Sequence, residues 1–142
     1  MKLLVAMLTM CVMSGWAHAE KAQKFGNLEI HYNALTTNDL LPEVARMYKI
    51  ERSNTRGLLT ISVLKKNEVG VHLPVPARIS VWVTNMTQQL SPLTMREIKE
   101  GTAVYYLAEF RVAPPDTLTF TGVIETPGEP KREIKFSQRF YK

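Results

Sequence analysis

Cysteine is almost missing from this chain. The only one, Cys11, sits in an apolar stretch near the N-terminus. A chain of 142 residues with a single cysteine closes no disulfide of its own, so a packed core must hold it together. Histidine is scarce as well, with three in all (His18, His31 and His72) and no His-x-His or His-x-x-x-His pair. Zinc takes three or four ligands, usually from close pairs, so no metal site is expected. There is no Gly-x-Ser-x-Gly elbow and no glycine-rich phosphate loop. Those absences remove the usual marks of nucleophilic catalysis and nucleotide binding. No catalytic residue and no cofactor is expected, although a triad assembled only in space leaves no trace in one sequence.

Long apolar runs are missing too, after the first one. Met1-Lys2 is followed by the uncharged stretch Leu3–Met13, and Ala17-His18-Ala19 supplies an A-x-A cleavage site before Glu20. The stretch is too short for the roughly twenty residues of a spanning helix and reads as a cleaved export signal over residues 1–19. A lipoprotein reading of Cys11 fails because Met10 stands where a small residue is wanted. Residues 20–142 then form one domain, expected in the periplasm. Cleavage removes the cysteine and leaves a net charge of +4 from the whole chain's +5. That mild basic excess allows weak contact with an anionic membrane surface. It gives no reason to expect nucleic acid.

What the chain has in abundance is alternation of period two, the mark of half-buried strands. Leu28, Ile30 and Tyr32 begin it; Leu59, Ile61 and Val63 follow, then Ile79, Val81 and Val83. Val104, Tyr106, Ala108, Phe110 and Val112 form the longest series, and Leu118, Phe120 and Ile124 continue it across Gly122. Ile134, Phe136 and Phe140 close it. Leu93 and Met95 start a further strand, but Ile98 has the opposite parity, which predicts a bulge or a strand end near Arg96-Glu97. Glu100-Gly101 predicts a hairpin turn between Leu93–Lys99 and Thr102–Val112. About seven strands divided by Pro- and Gly-rich turns predict an all-β, immunoglobulin-like antiparallel sandwich.

One segment has helical spacing. Leu40, Val44, Met47 and Tyr48 recur behind Asp39 as a cap and Pro42 in the first turn, which predicts a short helix over 40–48 lying on a sheet. Trp82, Tyr105 and Leu107 stand on the wrong parity for the core of their strands. Together they make an apolar patch that soluble proteins seldom leave bare, and the helix is the expected cover. The basic residues Arg46, Lys49, Arg52 and Arg56 follow that helix; a solvated rim is the plain reading of such a run. The candidate binding residues are Trp82, Tyr105 and Leu107, rimmed by Arg46 and Arg52.

Several segments resemble one family: His31-Tyr32-Asn33-Ala34, Leu41–Arg46, Arg96-Glu97-Ile98 through Gly101, Tyr105–Phe110 and the closing Phe136–Tyr141. It is an uncharacterised, domain-of-unknown-function family of small exported proteins of Gram-negative proteobacteria. The resemblance covers essentially all of residues 20–142 and implies no activity, cofactor or catalytic residue.

The expectation is a non-enzymatic periplasmic module that binds an unidentified periplasmic or envelope protein or acts as an accessory to it. Two alternatives remain: a carrier or sensor of a small apolar ligand held between sheet and helix, and a cofactor-free hydrolase. A closed cavity under the helix would favour the first. A cluster of His31 or His72 with carboxylates around a cleft would favour the second. An open sheet edge would favour the protein partner.

Overall fold

A computed structural model describes residues 21–142, so the stretch expected to be an export signal, residues 1–19 with Cys11, lies outside the described residues. Ten strands form: β1 (Lys21–Phe25), β2 (Leu28–Thr36), β3 (Arg56–Lys66), β4 (His72–Pro74), β5 (Arg78–Thr84), β6 (Leu90–Leu93), β7 (Arg96–Glu100), β8 (Ala103–Arg111), β9 (Asp116–Glu125) and β10 (Arg132–Phe140). They build two antiparallel sheets. One runs β1-β2-β3-β8-β7 with β4 also on β3, and the other runs β10-β9-β5-β6. With β2, β3, β8 and β7 as A, B, E and D, and β5, β9 and β10 as C, F and G, this is immunoglobulin-type strand order. The sandwich is as the alternation foretells, with ten strands rather than about seven. The three additions are β1, β4 and β6.

The alternating residues form the core between the sheets. Leu28, Ile30, Leu59, Ile61, Phe120, Ile124 and Ile134 are fully buried, each burial stabilising the fold by about 1.5–3 kcal/mol relative to exposure. Four ring contacts run through its centre. Tyr32 lies 4.4 Å from Phe136, Phe136 5.0 Å from Phe120, Phe120 5.0 Å from Phe110, and Phe110 5.6 Å from Phe140. Tyr32 and Phe110 belong to the first sheet and the others to the second, so the rings tie the sheets together. Gly122 holds its inward place because a β-carbon there would stand 3.0 Å from Cγ1 of Ile134.

The parity change at Arg96 is where the chain crosses between sheets. Leu93 and Met95 pack on the main core, whereas Ile98 packs on a second cluster on the far face of the first sheet. There, Leu58 and Leu107 are buried with Ile50, against Leu35, Leu40 and Tyr48. A strand end, not a bulge, accounts for the switch. The hairpin at Glu100-Gly101 forms between β7 and β8, with Glu100 paired to Ala103.

Helix α1 (Pro42–Met47) is shorter than the spacing suggests. Asp39 does not cap it. That residue ends a 3-10 turn at Thr37–Asp39, and Leu41 stands at the cap position with no side-chain hydrogen bond. The C-terminus is well closed. Lys49 turns left-handed at φ 56°; its amide donates to Arg46 and that of Ile50 to Ala45. This is a Schellman closure, which satisfies the last carbonyls and turns Ile50 back toward the sheet. No helix among the described residues is long and apolar enough to cross a membrane.

Candidate functional site

The outer face of the first sheet gathers most of the chemistry. On β8, Tyr105, Leu107 and Glu109 alternate with the core residues Tyr106, Ala108 and Phe110. Leu107 is 6% exposed and belongs to the cluster on which Leu40 and Tyr48 also pack. The segment around α1 covers it, as its apolar side requires. Tyr105 escapes the cover at 37% exposure.

Two polar contacts fasten this segment to the edge strand β7. The Tyr48 hydroxyl donates to Oε1 of Glu100, and Nη2 of Arg96 donates to the Tyr48 carbonyl at 2.8 Å. The bond to Glu100, followed by burial and the charge of Glu100, pushes the Tyr48 phenol up to about 12. Arg52 donates to the Asn38 carbonyl at 2.9 Å, so it braces the loops on either side of the helix. Beneath them, the buried Thr37 hydroxyl donates to the Ser53 carbonyl at 3.2 Å and accepts from its amide at 2.9 Å. Arg46 stands exposed in the last turn of α1.

The candidate residues do not make one surface. Trp82 is on β5 in the other sheet, opposite Pro92 and Thr121. Its neighbours Val81 and Val83 fill the core, so it faces out on the far side of the sandwich from Tyr105 and Leu107. Equal parity told which residues face away from the core, not which sheet they face away from. The patch therefore reduces to Tyr105 at the margin of the helix segment; Arg46 and Arg52 belong to that segment and the loop after it, and Leu107 is buried.

A polar cluster at the other end of this sheet brings together the two histidines that the sequence singles out, through Glu29, which it does not. Glu29 and His31 share the outer face of β2. Oε1 of Glu29 lies 2.9 Å from Nε2 of His31, and Oε2 lies 3.3 Å from Nε2 of His72 on β4. The carboxylate thus links β2 to β4 across the intervening β3. Among the described residues no group of three or more histidine, cysteine, aspartate or glutamate side chains is arranged to hold a metal ion. None of the clefts described below is lined by this trio. Ser62-Val63-Leu64-Lys65 has the Ser-x-x-Lys spacing of some acyl-transfer enzymes. On β3 those two residues fall on opposite faces, and Lys65 is held by Glu129 at 3.0 Å.

The clefts lie at the open sides of the sandwich. β7 pairs with β8 only as far as Arg96 opposite Leu107. Beyond it the chain crosses to β6, which pairs with β5. Among the described residues, Ala108–Arg111 therefore has β3 on one side and no strand on the other. Two hollows flank this half-edge. One of about 590 Å³ is lined by Arg56, Ser91, Leu93, Glu109 and Arg111 among others. The second, of about 310 Å³, is lined by Leu58, Thr94, Arg96, Leu107, Ala108 and Glu109. Arg56 stands 3.8 Å from Glu109 and 3.9 Å from Glu51, loose distances for an ion pair. Neither hollow is lined by Leu40, Tyr48 or Ile50, the residues that seal the helix side.

Comparison with solved structures finds this architecture elsewhere. A DUF4426 family protein from Pseudomonas aeruginosa PAO1 is 31% identical, with a TM-score of 0.72 over 86% of this chain and 94% of its own. FetP of uropathogenic Escherichia coli strain F11, expressed recombinantly in the periplasm, is 14% identical; the TM-score is 0.60 over 85% of this chain and 93% of FetP. A copper-bound variant of FetP gives 16% and 0.61 over 86% and 95%. At those identities FetP shares the fold. No curated protein matches the chain. The family model described as "Domain of unknown function (DUF4426)" matches residues 22–142, and with the Pseudomonas relative this places the chain in the DUF4426 family.

Proposed function

We propose that this protein is an exported, non-enzymatic binding module that takes an extended segment of an envelope protein along the unpaired half of β8. The observation that carries the reading is the early end of β7. Four residues of β8, Ala108–Arg111, keep one side without a strand partner among the described residues. Backbone groups on such an edge hydrogen-bond readily to an added strand, and hollows beside it receive alternate side chains. Arg56, Arg111 and Glu109, which line the same hollow, give the groove both signs of charge, which suits a polar peptide better than a small apolar ligand. The export pattern of residues 1–19 supports a periplasmic location, in keeping with the periplasmic expression of FetP.

The test is capture from a periplasmic extract with wild type, Arg111→Glu and Trp82→Ala, followed by hydrogen exchange on the purified complex. The expected result is a partner held by wild type and by Trp82→Ala and lost with Arg111→Glu, with slower exchange at Ala108–Arg111. A partner lost with Trp82→Ala and indifferent to Arg111→Glu would move the surface to the other sheet and end this reading.

A further inference from the structure

The unpaired half of β8 is complementary to itself. The Val112 amide donates to the Thr55 carbonyl at 3.1 Å, and Phe110 stands opposite Gly57 in the same register. In an antiparallel ladder the backbone groups of successive residues point to alternate sides. Ala108 and Phe110 therefore direct theirs to β3. Those of Glu109 and Arg111 face the side that carries no strand among the described residues. The side chains alternate as well. Phe110 turns into the core, while Glu109 and Arg111 are exposed on the outer face of the sheet.

The charges on this face are unevenly met. Arg56 and Arg111 lie directly opposite each other, a like-charged pair that costs stability. Arg56 has Glu109 at 3.8 Å and Glu51 at 3.9 Å. Arg111 has no carboxylate within ion-pair distance among the described residues; Asp116 lines a hollow with it but stands farther off. The open flank of Arg111 is the free side of β8.

We propose that, when no envelope segment holds it, this half-edge pairs with the same half-edge of a second copy of the chain, antiparallel about a two-fold axis at Phe110. In that register Glu109 lies opposite Arg111 of the second copy, and Arg111 opposite Glu109 of the second copy. Each of these pairs exchanges both of its backbone hydrogen bonds, because both members face the edge, and each joins opposite charges. Neighbouring registers do not. A shift by two residues sets Glu109 opposite Glu109 or Arg111 opposite Arg111, and a shift by one sets an edge-facing residue against one that faces β3. The interface is isologous and closes at two copies. It rests on the reading that the half-edge accepts an added strand, and it regulates that site, since an envelope segment must displace the second copy.

The test is sedimentation velocity over a range of concentrations, with the chain purified both with and without residues 1–19. A reversible monomer–dimer equilibrium is expected for both forms. Arg111→Glu and Glu109→Arg, both at exposed positions, each set like charges opposite one another and are expected to weaken the dimer at least about tenfold. Mixing the two variants restores opposite charges at both pairs, and the mixture is expected to dimerise within about threefold of wild type. Hydrogen exchange should slow at the Glu109 and Arg111 amides as concentration rises, and not at Phe110, whose amide faces β3. A protein that stays monomeric, a dimer that requires residues 1–19, single variants that dimerise like wild type, or a mixture that fails to pair would each overturn the proposal. An envelope partner captured at Ala108–Arg111 by a protein that stays monomeric would leave the proposed function standing and end only this inference. A dimer with no captured partner would do the reverse.

Discussion

The ring of Phe110 occupies the space that a β-carbon on Gly57 would need. The two residues face each other across β3 and β8, and an added Cβ on Gly57 would lie 2.1 Å from both Cε2 and Cζ of the ring. Real β-carbons do not approach carbon this closely, so something must shift. The ring has little room to do so. It packs edge-on to Phe120 and Phe140 of the opposite sheet, at 5.0 and 5.6 Å. The missing side chain at Gly57 is what lets the aromatic row cross from one sheet to the other.

Gly57→Ala is therefore expected to destabilise the fold by about 3 kcal/mol, the upper range for overpacking a core. Phe110→Ala should cost about 3–5 kcal/mol through the cavity it leaves. The double variant should cost at least about 1 kcal/mol less than the sum, because the alanine methyl fills part of that cavity. Urea denaturation of the four proteins measures all three values. Strict additivity would mean that the ring swings aside at little cost, contrary to its packing.

That pairing was partly legible in the sequence, and the limit is instructive. The period of two placed Phe110 inward and Leu59, Ile61 and Val63 in the core, because burial on one face of a strand leaves a mark at every second residue. It could not place Gly57 opposite Phe110, since register follows from turn geometry. β1 was invisible because Lys21–Lys24 is exposed throughout and carries no alternation. β4 and β6 were hidden by brevity and by Pro74 and Pro92, which sit at strand ends and edges. The candidate surface suffered similarly. Parity marked Trp82, Tyr105 and Leu107 as facing away from the core, but their division between two sheets depends on pairing over long sequence distances. Glu29 and His72 meet only because β4 folds back on β3. The free half of β8 exists only because β6 and β7 belong to different sheets.

The separation of Trp82 from Leu107 has a measurable consequence. Leu107 forms the floor under Tyr48 and Ile50, so Leu107→Ala should loosen the α1 segment as well as lower global stability, by about 2–3 kcal/mol. Amide exchange at Tyr48, Lys49 and Ile50 is expected to accelerate beyond the change in the core strands. Trp82→Ala, on the outer face of the other sheet, should leave the exchange of these three amides as it is. Faster exchange at Ile50 in the Trp82 variant would contradict the placement of the two residues on separate sheets.

The tether between Tyr48 and Glu100 should show itself in alkali. The phenol donates its proton to a carboxylate, so ionisation removes the bond and sets two negative charges together. That is why the group is pushed up to about 12 from an ordinary 10. A group raised in the folded state adds stability that is complete below its unfolded value and fades as pH rises through its folded one. The tether is thus full below about pH 10 and lost on approaching pH 12. Both partners touch solvent, so the gain is expected to be small, under about 1 kcal/mol. Tyr48→Phe should lower stability by that amount at neutral pH, with the difference from wild type shrinking as pH rises toward the upper limit. In a spectrophotometric titration the same variant should lose one late-ionising tyrosine. Glu100→Gln should keep the tyrosine and bring its ionisation back toward the ordinary range. An unchanged late transition in Glu100→Gln would mean that burial, not the carboxylate, holds the proton on Tyr48.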